Sequence, residues 1–210
     1  MSLKKLLLNC LFPKKCYGCE TSETWLCKSC FVKIKKYQGQ TPRQLTGVND
    51  LIIAGEYHDP VLKDLIQAFK FNFNKELVVP LAALLYSKIS WPHLNKSYLI
   101  IPIPLHRQRL AWRGFNQSEL LAKEISTLTG WPINYDLTKI KKTKEQASLQ
   151  ETKRLKNQLG VFSWHGINLA GQNIILLDDI ITSGATISQA ALVLKQAGAG
   201  EIIALAVAKG

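Results

Sequence analysis

One stretch constrains the fold of this chain more than any other: Ile174-Ile-Leu-Leu-Asp-Asp-Ile-Ile-Thr-Ser-Gly-Ala-Thr-Ile187. Four apolar residues lead into adjacent carboxylates, Asp178 and Asp179, and a loop of small residues follows, Thr182-Ser183-Gly184-Ala185-Thr186. A continuous apolar run of this kind reads as a buried strand, which delivers the acids to the edge of a sheet. A helical pattern begins after the loop, so the loop opens a helix whose first amides have no intrahelical acceptor. Such a helix end carries partial positive charge and free N–H donors, and it suits a phosphate. Hydroxyls of Thr182, Ser183 and Thr186 add donors, and Gly184 lets the backbone approach closely. Carboxylates beside a phosphate cradle fit a sugar phosphate, the acids taking ribose hydroxyls directly or through a divalent cation. The competing reading is a solvated strand-to-helix turn that carries its acids by chance.

Around this stretch, strand and helix patterns alternate. Residues 51–57 read as a strand and 60–71 as a helix, with Asp59 as cap and Pro60 at the first position. A second helix covers 76–89, with Pro80 in or near its first turn. Residues 98–104 form an apolar strand ending in prolines, and 117–128 form a helix. Strands at 173–177 and 202–208 flank a helix from about 185 to 197, which Gly198 ends. The alternation predicts an α/β fold with a parallel, doubly wound sheet. With 210 residues and 47% hydrophobic content, the chain can bury one substantial core plus a small appendage. The polar stretch from Gln38, with Gly39, Pro42 and Gly47, marks a linker. The expected organisation is therefore a small unit at 1–40, a linker at 41–50 and a larger unit at 51–210.

The small unit is read from its cysteines. Cys16, Cys19, Cys27 and Cys30 form C-x2-C-x7-C-x2-C, and each C-x2-C pair can point two thiolates at one ion. A redox pair explains one such element but not two so close together, so the expectation is a structural, closed zinc site. About 40 residues hardly fold without such a staple. Cys10 is left over, either packing in the apolar run 6–12 or substituting into the zinc shell. The N-terminal twelve residues imitate a signal peptide, but Asn9 interrupts the apolar core and Pro13-Lys14-Lys15 stands in place of a small-residue cleavage site. The reading is a short amphipathic helix on a cytoplasmic protein. No run of about 20 apolar residues offers a membrane span.

The net charge of +12 is unevenly spread. Residues 1–50 hold nine basic against three acidic side chains and 101–160 hold eleven against five, while 161–210 hold two against three. This asymmetry points to a polyanion, nucleic acid or phosphorylated ligand, or to a basic surface that only aids solubility. Between the strand at 98–104 and the helix at 117–128 lies a loop with Arg107, Arg109 and Arg113, interleaved with Trp112 and Phe115. These can neutralise phosphates and stack on bases. Asn116 can cap the following helix, and His106 reads as a local hydrogen-bonding group. A second basic segment contains Lys139, Lys141, Lys142 and Arg154, which alone could be a charged surface helix.

Taken in order, these elements resemble the ComF family, also called ComFC or GntX-like proteins, of bacterial DNA transformation. The likeness covers nearly the whole chain: the four-cysteine finger, the Pro-Ile-Pro-Leu-x3-Arg-Leu-x2-Arg-Gly-Phe-Asn-Gln run at 102–117, the series at 139–157 and Leu-Asp-Asp-Ile-Ile-Thr-Ser-Gly-Ala-Thr at 177–186. The last also resembles the 5-phosphoribosyl-1-pyrophosphate (PRPP) motif of type I phosphoribosyltransferases. The resemblance implies a zinc finger joined to a type I phosphoribosyltransferase-like domain, handling single-stranded DNA in the cytoplasm. It implies that Asp178 and Asp179 contact ribose and that Thr182, Ser183, Gly184, Ala185 and Thr186 hold its 5-phosphate. The chain departs from the pattern at Lys139 and Lys141, which lack the bidentate geometry of the family's arginine, at Ser183, and at Trp112, where a polar residue is usual.

Two functional classes follow. One is a DNA-binding competence protein with a PRPP or ribose 5-phosphate site, in which Arg107, Arg109, Trp112, Arg113, Lys139, Lys141, Lys142 and Arg154 grip the strand. The other is a working phosphoribosyltransferase, with Mg2+ on the pyrophosphate of PRPP, Asp178 and Asp179 in the catalytic centre, and an acceptor that the sequence does not identify. A zinc-finger adaptor for a protein is a third reading, with a competence helicase or other DNA-processing protein as the candidate partner. The sequence contains no Gly-x4-Gly-Lys-Ser/Thr run of its own.

Overall fold

The computed structural model describes residues 13–39, 45–71, 74–90, 96–140 and 160–210. In chain order its elements are α1 (Lys28–Lys33), β1 (Asp50–Glu56), α2 (Pro60–Phe71) and α3 (Val78–Tyr86), the last entered through a 3-10 turn at Lys75–Leu77. There follow β2 (Leu99–Pro102), α4 (Arg107–Arg113), α5 (Gln117–Thr129), β3 (Leu137–Lys139) and β4 (Phe162–Trp164). The chain closes with β5 (Ile174–Ile181), α6 (Ala185–Gln196) and β6 (Ile202–Lys209).

The two most continuously apolar strands take the centre of the sheet. Its order is β1-β6-β5-β2, and every neighbouring pair is parallel. Side chains alternate across it, as the strand period requires. Ile175, Leu177, Ile203, Leu205 and Val207 enter a core shared with α2, α3 and α5. Ile174, Leu176, Ile202, Ala204 and Ala206 enter a second core with α6 and the antiparallel β3–β4 pair. Helices on both faces of a parallel sheet are the doubly wound arrangement that the sequence pattern predicts.

Two local expectations change, and one pair of strands goes unanticipated. The strand expected to stop at Leu177 runs to Ile181, because the ladder to β6 continues through Asp178↔Ala206 and Ile180↔Ala208. Both acids therefore sit within a strand rather than after it. The stretch expected to be a loop between β2 and α5 contains α4, whose N-terminus is capped by the His106 ring accepting from the Gln108 N–H at 3.4 Å. The β3–β4 pair, three residues a side, is too short to leave an alternation readable in the sequence. The N-terminal helix expected before Pro13, and the basic stretch 141–159, lie outside the described residues.

The cysteine-bearing segment packs on the face that α2 and α3 cover. Ile34 is buried in that core, and Tyr17, Trp25, Leu26 and Phe31 lie against it. Trp25 Nε1 donates to Glu76 Oε2 at 3.0 Å, and the Lys35 N–H donates to Asp59 Oδ2 at 2.9 Å. On the opposite face, the Asn49 side chain accepts from the Ile202 N–H at 2.9 Å, pinning the entry to β1. No described helix is long and apolar enough to cross a membrane.

Leu176 is fully buried at the centre of β5. Leu176→Ala should lower unfolding free energy by about 2–5 kcal/mol, read as a shift in denaturant midpoint at unchanged slope.

Candidate functional site: a carboxylate pair, a phosphate loop and a four-cysteine cluster

The end of β5 presents Asp178 and Asp179 to different partners. Asp178 Oδ1 accepts from Ser118 Oγ at 3.0 Å and from the Asp179 N–H at 2.9 Å. Asp179 Oδ2 pairs with Lys70 Nζ at 2.9 Å, the two side chains being only 14% and 17% exposed. Loss of hydration, reinforced by the neighbouring Asp179 charge, pushes the Asp178 carboxyl up to about 7; the Asp179 N–H, Lys70 and the Ser118 hydroxyl oppose the shift.

Immediately beyond lies the loop. A cavity is lined by Asp178 and by residues from Ile180 through Ile187. Gly184 stands before α6 with φ of 76°, and a Cβ there would collide with the buried Leu45 side chain. Both the backbone angle and the contact require glycine. The Ser188 N–H bonds to the Gly184 carbonyl at 2.9 Å, which starts the helix and leaves the preceding amides without intrahelical acceptors. No hydrogen bond among the described residues engages the hydroxyls of Thr182, Ser183 or Thr186. The donor set fits a phosphate, and the acids beside it fit sugar hydroxyls. Lys70 already occupies Oδ2 of Asp179, so a ligand on that oxygen competes with an ion pair.

The structure separates the basic residues that the sequence groups. On α4, Arg107 is exposed, Arg109 half-buried and Trp112 66% exposed. Arg113 turns inward, only 8% exposed, donating from Nη1 to Gln117 Oε1 at 3.1 Å with its guanidinium 5.4 Å from the Phe71 ring. Phe115, read from the sequence as a base-stacking residue, is buried against Phe69, its ring 5.8 Å away. Asn116 caps α5 as expected, accepting from the Ser118 N–H at 3.1 Å. Lys139 closes β3, with Nζ 5.5 Å from the Phe162 ring. Lys141, Lys142 and Arg154 lie outside the described residues. Sequence reading missed Lys70 and Ser118, because each joins the acids only through tertiary packing.

The four cysteine sulfurs lie within 4.8 Å of one another. Cys16 Sγ accepts from the Gly18 N–H at 3.5 Å and the Cys27 N–H at 3.3 Å, contacts that favour a thiolate. A Cβ on Gly18 would stand 2.6 Å from Cys30 Sγ, so only glycine lets the first knuckle close on the second. The Ser29 hydroxyl and the Cys30 N–H draw the Cys27 thiol down to about 6. The bond to Cys27 and burial push Cys30 up to about 12. Four sulfurs so close cannot all ionise without a cation between them. Zn2+ fits: tetrahedral Zn–S bonds of about 2.3 Å separate sulfurs by about 3.8 Å, and Cys19 and Cys27 are already 3.6 Å apart.

Two outcomes follow. Purified protein should carry one zinc by elemental analysis, and Cys30→Ser should lose it and the packing of Trp25, read as a red-shifted tryptophan emission. Asp178 has a folded pKa above its unfolded one, so its contribution to stability is full below about pH 4 and is lost as pH rises through about 7. Asp178→Asn should therefore raise the melting temperature at pH 8, by about 2–4 °C for each kcal/mol recovered, and change it little at pH 4.

No protein-family model matches the chain. Competence protein F of Haemophilus influenzae is 30% identical over 199 residues, covering 89% of this chain and 86% of that protein. Competence protein ComFC of Bacillus subtilis is 32% identical over 142 residues, 68% of this chain; the match spans 56% of that relative's length. DNA utilization protein YhgH of Escherichia coli is 27% identical over 157 residues, 72% of this chain and 68% of that protein. Among solved structures, UMP synthase of Leishmania donovani overlaps 67% of this chain and 24% of its own at 15% identity and a TM-score of 0.35. Adenine phosphoribosyltransferase of Saccharomyces cerevisiae overlaps 69% of each chain at 18% identity and a TM-score of 0.32. The likeness to competence protein F, sustained over most of both sequences, shows that the chain belongs to the ComF family.

Proposed function

We propose that this protein handles incoming single-stranded DNA in the cytoplasm during natural transformation and binds a ribose 5-phosphate, as in PRPP, at the end of β5. The observation that carries the reading is that Asp178 and the Thr182–Thr186 loop line one cavity at the start of α6, with Asp179 next to Asp178 on β5. Loop amides and hydroxyls take the 5-phosphate, and the carboxylates take ribose hydroxyls. Mg2+, carried on the pyrophosphate of PRPP, neutralises its charge. The names of the relatives, competence protein and DNA utilization protein, support the DNA side of the reading. Arg107 and Arg109, with Lys139, Lys141, Lys142 and Arg154, supply cations for the phosphates of the strand. Zinc holds the cysteine unit against α2 and α3, and a closed four-thiolate site leaves no position for catalysis. ATP-driven movement of DNA would come from a partner such as a competence helicase.

One observation favours a second reading, an active Mg2+-dependent phosphoribosyltransferase acting on an unidentified base or nucleotide. Asp178 lines the cavity, and burial beside the Asp179 charge pushes its carboxyl up to about 7, toward the range suited to proton transfer at neutral pH. Release of pyrophosphate from PRPP only when an acceptor is added would establish it.

The test is fluorescence anisotropy of a labelled single strand, with salt and PRPP–Mg2+ varied, beside calorimetry with PRPP. Log K should fall with log salt by about 0.7 for each phosphate contacted. Asp179→Asn should abolish PRPP binding while leaving the salt-sensitive DNA affinity in place. Absence of DNA binding at any salt removes the first reading, and unchanged PRPP affinity in the variant places the sugar elsewhere.

A further inference from the structure

Two aromatic side chains stand on the surface where α2 ends beside α4. Trp112 is 66% and Phe71 52% exposed, with ring centroids 6.5 Å apart and planes at 60°. Their neighbours Phe69 and Phe115 are buried against each other. The site thus had an aromatic core available, and these two rings lie outside it. Cationic side chains stand close to them. The Arg113 guanidinium lies 5.4 Å from the Phe71 ring, Lys75 Nζ lies 5.3 Å from the Phe115 ring, and α4 carries Arg107 and Arg109. No acidic residue occurs from 103 to 118. Asp179 is paired with Lys70, the residue before Phe71.

The backbone that presents the rings is fixed by the carboxylate pair. Phe71 follows Lys70, which is tied to Asp179. Trp112 precedes Arg113, which is bonded to Gln117, and the next residue, Ser118, donates to Asp178. Both rings are therefore offered from anchored chain, so little ordering entropy opposes a ligand.

We propose that Phe71 and Trp112 form a stacking platform for the unpaired bases of a single nucleic acid strand. The proposal rests on the DNA-handling reading above and adds that the protein engages bases, not only phosphates. Exposed aromatic rings beside cations match a strand whose bases are unstacked and whose backbone is anionic. A duplex hides its base faces, and a protein partner would need acids to meet these cations.

The test compares a labelled oligothymidylate with an abasic oligonucleotide of equal length, which keeps the phosphates and lacks the bases. Trp112→Ala and Phe71→Ala should each weaken binding of the base-bearing strand about five- to hundredfold and leave the abasic strand nearly unaffected. Trp112→Phe should restore most of the loss. Both side chains are on the surface, so melting temperatures should hold, and this separates the effect from misfolding. Arg107→Ala with Arg109→Ala should weaken both strands alike and flatten the salt dependence. Equal losses on both strands in Trp112→Ala, or none, overturn the platform while the DNA reading stands. If the wild type binds neither oligonucleotide, the DNA reading falls and the platform falls with it.

Discussion

The parallel ladder between β5 and β6 is the constraint on which the remaining structure hangs. It runs from Ile174↔Ile202 to Ile181↔Lys209, and it carries a strand buried on both faces out to a pair of carboxylates. Backbone bonding to β6 fixes Asp178 and Asp179 without any help from their side chains. The side chains are thereby free to recruit α5 through Ser118 and α2 through Lys70. Those two contacts in turn place the end of α2 that bears Phe71 and the start of α5, which directly follows α4. A slip of one residue in this ladder would exchange the inward and outward sets and dissolve both cores together.

Keeping two acids there works against folding. One is held partly protonated by loss of hydration and by its neighbour, and the other is neutralised by a lysine drawn out of water. A well-packed apolar pair would be at least as stable in such a position. Asp178 lines a cavity with the Thr182–Thr186 loop and Asp179 adjoins it in β5, which is where ligand binding can compensate for an unfavourable ground state.

Much of the fold was legible in the sequence because its signals are local. The apolar run before Asp178, the cap at Asn116, Pro60 at a helix start and the paired C-x2-C elements each follow from nearest-neighbour chemistry. The less legible features depend on tertiary packing. The extension of β5 past Leu177 comes from its partner β6, and α4 forms where three arginines and a tryptophan suggested an open loop. Nothing local marks Lys70 or Phe71 within the helix read at 60–71. Their roles arise only because α2 brings them to Asp179 and Trp112. Phe115 shows the converse: a promising local pattern led into the core.

The strand order also bears on how the protein is made. β1 and β2 are the outer strands, and the central β5 and β6 are the last of the four to leave the ribosome. Until they arrive, the apolar faces of α2, α3 and α5 have no sheet to cover, and Leu45 has no Gly184 to pack beneath. The cysteine unit can close around its metal early, whereas the rest must wait for nearly the whole chain. A nascent chain with this strand order carries unpaired strand edges until β5 and β6 emerge, a state that favours aggregation.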